Sequence, residues 1–114
     1  MPHFIVEYSA DVTTHHDMKN LCQALFDSAK ESGAFPDTNA IKVRATPATH
    51  WVLGHGDSGF VHVTIRLLAG RDSATQALVT QTALKTLKAH LPLVGSLSVD
   101  IKDINPATYA KHTR

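Results

Sequence analysis

The chain predicts an α+β domain of α/β-type repeats: two βαβ units forming one four-stranded sheet, with two helices on one face. Two observations carry this. A candidate strand, helix and strand begin near residues 3, 17 and 40, and the same order begins again near 60, 74 and 97, an offset of about 57 residues each time. Identity between the halves is negligible, so the repeat lies in the apolar pattern alone. The second observation is FVHVTIRLL, in which Val61, Val63, Ile65 and Leu67 face one way and His62, Thr64 and Arg66 the other.

Each element has its own signal. His3 to Ser9 is rich in β-branched and aromatic residues and alternates, with Phe4, Val6 and Tyr8 on one side and His3, Ile5 and Glu7 on the other. Met18, Leu21, Cys22, Leu25, Phe26 and Ala29 recur in steps of three and four, which sets them on one helical stripe. Thr14 and Asp17 have capping-box spacing ahead of that helix, and Gly33 and Pro36 mark its stop. A short strand is expected over Ala40 to Ala45, and another over His50 to Leu53. After GHGDSG and the strand that follows it, Ser73 and Gln76 suggest a capping box. Val79, Ala83, Leu84, Leu87 and Leu91 then form the apolar side of a helix ended by Pro92. Leu97, Val99 and Ile101 alternate in a last strand, and the tail from Asn105 is expected to be less ordered.

The expected organisation is a single domain over residues 1–114, with one βαβ unit over about 2–57, the second over about 58–104 and a tail over 105–114. Eleven Lys and Arg against ten Asp and Glu leave a net charge of +1, so no global field favours nucleic acid or an anionic membrane surface. Apolar runs such as FIV and LLAG fall far short of the roughly 20 residues of a membrane span, and no basic segment leads into an apolar signal core. With a lone Cys22, the expected location is the cytoplasm. Eight histidines come without HExxH or paired-cysteine spacing, so no metal is expected.

Pro2 raises the chemical question. As a residue without a backbone N–H it fits the first position of a strand. With Met1 removed it also becomes a terminal secondary amine held in a ring, which is a candidate base. The offset of 57 makes Gly59 its internal counterpart, so each chain can supply one such amine.

PHFIVEYS at the terminus, SGAFP ending at Pro36, HWV at His50 to Val52 and FVHVTIRLLAGR ending at Arg71 together resemble the 5-carboxymethyl-2-hydroxymuconate isomerase family of the tautomerase superfamily. The resemblance runs from Pro2 to about the end of the second helix. It implies a tautomerase-like fold that assembles as a homotrimer and isomerises unsaturated 2-hydroxy or 2-keto diacids from aromatic-ring breakdown without a cofactor. It further implies Pro2 as general base and Arg71 as a substrate-binding cation. A second family cation follows the GxFP turn. There Lys42 aligns with a family arginine and Arg44 with another basic residue; the two share a strand face, and either can fill the role. Lysine keeps the charge but lacks the planar fork that grips a carboxylate with two bonds, which leaves the substrate open.

A free α-amine is ordinarily protonated at neutral pH and has no lone pair to accept a proton. Burial and nearby Arg or Lys charges disfavour the protonated form, and the same charges can bind substrate carboxylates and a developing dienolate. Two alternatives remain: a proline-based keto-enol tautomerase with another substrate, and a non-catalytic trimeric scaffold or binding protein. The likeness of doubled βαβ units to ferredoxin-like folds, which host many functions, keeps the second alternative in play. Trp51 is expected to pack into a subunit interface.

Overall fold

The computed structural model describes residues 1–56 and 58–114; Asp57, within the turn-rich GHGDSG and at the expected boundary between the two units, lies outside them. Strand β1 (His3–Ser9) leads through a 3-10 turn (Ala10–Thr14) into helix α1 (Met18–Glu31). A second 3-10 turn (Thr38–Ala40) precedes strand β2 (Lys42–Ala48). Strand β3 (Phe60–Leu68), helix α2 (Ser73–His90) and strand β4 (Ser96–Ile104) repeat the pattern. The sheet order is β2-β1-β3-β4, with β1 parallel to β2, β3 parallel to β4, and the two central strands antiparallel. This is the expected four-stranded sheet of two βαβ units.

Register explains why the helices lie on one face. Val43, Phe4, Ile65 and Ile101 align across the four strands, as do Ala45, Val6, Val63 and Val99. Phe4, Val6, Val63 and Ile65 in the centre are fully buried, packed against Leu21 and Leu25 of α1 and Leu87 of α2. Along α1 the predicted stripe holds: Met18, Leu21, Leu25 and Ala29 are buried, with Cys22 and Phe26 half-buried at its edge. Leu25 has no exposed surface. Leu25→Ala is therefore expected to cost about 2–5 kcal/mol, read as a lower urea midpoint at unchanged slope.

Several local expectations need correction. The second strand begins at Lys42 and continues through Pro47 to Ala48, because β2 is an edge strand bonded only to β1, where a missing N–H is tolerated. Ala40 belongs instead to a turn whose cap, Asp37, accepts a hydrogen bond from the Asn39 amide at 3.2 Å. His50 to Leu53 forms no strand. Neither capping box forms. The Asp17 carboxylate itself caps α1, accepting from the Lys19 and Asn20 amides at 3.0 and 3.1 Å. Asp72 does the same for α2, accepting from the Thr75 amide at 2.8 Å. A carboxylate at the cap also complements the helix dipole, which a serine does not.

The junction of the halves is tight. Buried Ser9 ends β1 and accepts from the Phe60 amide at 3.0 Å, tying the start of β3 to the end of β1. Gly59 reaches this point with φ +78°, and a Cβ there would stand 2.9 Å from the Ser9 hydroxyl oxygen. The open face of the sheet is polar: Lys42, His3, Arg66 and Lys102 align across it. The tail, expected to be loose, turns at Asn105, whose carbonyl accepts from the Thr108 amide at 3.1 Å, and returns Tyr109 to that face.

Candidate active site

Pro2 lies just ahead of β1. Strand alternation gives it the side of Phe4, so its ring is fully buried beneath the helices. Its carbonyl accepts from the Lys42 amide at 3.0 Å, which extends the β1–β2 ladder by one rung and fixes the direction in which the terminus leaves the sheet. The terminal amine of Met1 donates to the Ala40 carbonyl at 2.7 Å. The Lys42 ammonium donates to the same oxygen at 3.3 Å, so two cationic groups meet at one acceptor.

The amine is held below its ordinary pKa, chiefly by burial and then by the charges of Lys42 and Lys111; Asp37 opposes the shift and Arg71 adds to it. The Met1 nitrogen is thus pushed toward its neutral form.

Arg71 is placed by contacts with two parts of the chain. Its guanidinium donates to the Leu68 carbonyl at 3.3 Å and to the Ala34 carbonyl at 3.2 Å, and it lies 5.3 Å from the centre of the Phe35 ring. Phe35 is buried and meets Phe4 edge-on, with ring centres 6.2 Å apart. A chain of contacts therefore runs from Phe4 of β1 through Phe35 to the arginine. Two of the five guanidinium N–H groups are spent on carbonyls, which orient the fork and leave its other donors and its full charge for a ligand.

Of the four residues singled out in sequence, Pro2 and Lys42 meet at the terminus, and Arg71, seated on Leu68, Ala34 and Phe35, adds its charge there. Arg44 does not join them. Two residues further along β2, it donates to Nδ1 of His3 at 3.2 Å on the open sheet face, and its charge lowers the pKa of His3 rather than that of the terminus. Sequence reasoning missed the Ala34 carbonyl and Phe35 as the seat of Arg71, and Lys111 as a charge near the amine. Phe35 carried a signal in SGAFP; Lys111 carried none. His62, which shares the open face, pairs with the Ser98 hydroxyl of β4.

A family model described as 5-carboxymethyl-2-hydroxymuconate isomerase matches residues 2–114. The chain is 26% identical over 113 residues to the 5-carboxymethyl-2-hydroxymuconate Delta-isomerase of Escherichia coli, with 93% of this chain and 89% of that one covered. It superposes on the crystal structure of a 5-carboxymethyl-2-hydroxymuconate isomerase from Deinococcus radiodurans R1 with a TM-score of 0.87 at 21% identity, covering 99% and 90% of the two chains. A fused 4-OT described as a symmetric trimer aligns with a TM-score of 0.68 at 20% identity, covering 90% and 85%. At those identities the two structures establish the fold. The family match spans both βαβ units and every residue of the terminal corner from Pro2 onward: the chain belongs to the 5-carboxymethyl-2-hydroxymuconate isomerase family and is an isomerase of the tautomerase superfamily.

Proposed function

We propose that the chain, freed of Met1, moves a double bond in 5-carboxymethyl-2-hydroxymuconate or a closely similar unsaturated 2-hydroxy or 2-keto diacid, with Pro2 as general base. The observation that supports this is the Met1 amine one residue away, held below its ordinary pKa first by burial and then by the charges of Lys42 and Lys111, against Asp37; a Pro2 amine would stand in the same corner. The neutral Pro2 nitrogen removes a proton from a carbon activated by the conjugated carbonyl, and the electron pair shifts toward the carbonyl oxygen to give a dienol or dienolate. The same nitrogen then returns the proton to another carbon, so the double bond has moved and the base is regenerated. Arg71, with its fork preset, and Lys42 bind the carboxylates and the developing oxyanion. No cofactor takes part in these steps.

The assembly proposed is a cytoplasmic homotrimer. The trimeric fused 4-OT relative supports the trimer, as does a linker in which Val52 is 97% exposed beside half-buried Trp51, an apolar pair suited to a subunit contact. Among the described residues no helix is long and apolar enough to cross a membrane.

The test is steady-state turnover of 5-carboxymethyl-2-hydroxymuconate by protein whose mass confirms loss of Met1, beside a panel of aryl keto monoacids. Turnover of the diacid is expected. Preference for the monoacids would move the reading to another proline-based tautomerase, and no turnover of any acid to a scaffold.

Lys42 gives a sharper check through pH. Its charge disfavours a proton on the Met1 amine, and a free Pro2 amine in the same corner would feel the same charge, so Lys42→Ala is expected to raise the pKa of the base. The acid limb of the kcat/KM profile is expected to move to higher pH, with activity near neutrality falling more than activity at alkaline pH. An unmoved limb would separate Lys42 from the base.

A further inference from the structure

A second cluster of donors lies on the opposite face of the sheet. His3, Ile5, Arg44, Arg66, Ile104 and Tyr109 line a cleft of about 160 Å³. Its hydrogen bonds run in one direction. Arginine can only donate, so Nδ1 of His3 accepts from Arg44 at 3.2 Å. The imidazole proton then lies on Nε2, which donates to the Tyr109 hydroxyl oxygen at 3.3 Å. Burial, followed by the charges of Arg44, Lys42, the terminus and Arg66, holds His3 below its ordinary pKa and supports this neutral form. Tyr109 is left with its own O–H to give. The lining therefore offers two guanidinium groups and a hydroxyl proton, includes no carboxylate, and has Ile5 and Ile104 as apolar walls.

We propose that this cleft is an anion-binding site, separate from the Pro2 corner, for a small organic acid with a planar carboxylate and an apolar body. The carboxylate accepts from Arg66, Arg44 and the Tyr109 O–H, while the body lies against Ile5 and Ile104. The cleft is distinct from the Pro2 corner in place: Pro2 is buried toward the helices, whereas His3 faces the opposite way. It also gives Arg44 and the C-terminal tail a shared role.

The probe is benzoate, titrated into ¹⁵N-labelled protein in its native assembly, with benzyl alcohol as its uncharged counterpart. Benzoate is expected to shift the amide signals of His3, Ile104 and Tyr109 saturably, and benzyl alcohol to leave them unmoved. Tyr109→Phe and Arg66→Gln should each weaken benzoate binding at these signals about tenfold or more, as expected for loss of a hydrogen bond to a charged group. Arg71→Gln should leave it intact, which separates this cleft from carboxylate binding at the Pro2 corner. The inference is overturned if these signals do not saturate, if benzyl alcohol binds equally well, or if binding follows Arg71 rather than Arg66 and Tyr109.

Discussion

Methionine-free protein carrying Pro2→Ala is expected to lose about 100- to 10,000-fold in kcat/KM for diacid isomerisation, the range that a positioned proton transfer contributes. The variant keeps a terminal amine, so the loss measures position and environment rather than the presence of nitrogen. In proline the ring ties the nitrogen to its own side chain, and that side chain is fully buried while the carbonyl is bonded to the Lys42 amide. The lone pair therefore points where the backbone points. Alanine supplies a primary amine that rotates freely, so its lone pair is no longer aimed, and that is better hydrated, which favours the protonated, unreactive form. The strand itself survives, because the Pro2 carbonyl bond belongs to the backbone; circular dichroism and oligomeric state should match those of the parent. Protein that retains Met1 is a stronger control. Its Pro2 nitrogen is an amide with no basic lone pair, and the Met1 amine is bonded to the Ala40 carbonyl instead. Its activity should fall at least as far as that of Pro2→Ala. Full turnover by either protein, with mass confirmed, would place the base elsewhere.

How far this corner could be read in the sequence depends on the range of the contacts involved. The central strands announce themselves because both lie between neighbours and bury one face completely, so Phe4, Val6, Val63 and Ile65 alternate without interruption. β2 lies at the edge with only half-buried Val43 and Ala45 on its inner side, and Pro47 reads as a breaker, so its bounds slipped. The same period of two put Lys42 and Arg44 on one face and could not choose between them. In three dimensions the two part company: Lys42 turns back to the carbonyl that also holds the terminus and Arg44 turns to His3. Tyr109 and His3 are 106 residues apart, and no local pattern encodes a contact of that separation. Arg71 was visible as a residue, through the AGR that closes the strand motif, but its seat on Ala34 and Phe35 joins the two halves of the chain and was not.

That seat makes Arg71 the second large effect. Arg71→Ala is expected to lower kcat/KM by about 100- to 1,000-fold, the scale of losing one preorganised group that stabilises developing charge. The removal also leaves the Leu68 and Ala34 carbonyls without their donor and uncovers one face of Phe35, so part of any deficit can come from a shifted turn. Arg71→Lys divides the two contributions. Lysine retains the charge near the terminus, but as a point charge it cannot hold both carbonyls and present a fork at once. If the fork matters chiefly for gripping a carboxylate in ground and transition states alike, Arg71→Lys raises KM and spares kcat. If it matters for charge that develops on the dienolate oxygen, kcat falls with it. The geometry favours the second outcome: the guanidinium is fixed before substrate arrives, on two backbone carbonyls and an aromatic ring that do not move with the reaction. A thermal midpoint for Arg71→Lys close to the parent's, together with a fall mainly in kcat, is the expected result. Unchanged kcat and KM in Arg71→Ala would reduce the residue to a brace between the halves of the fold.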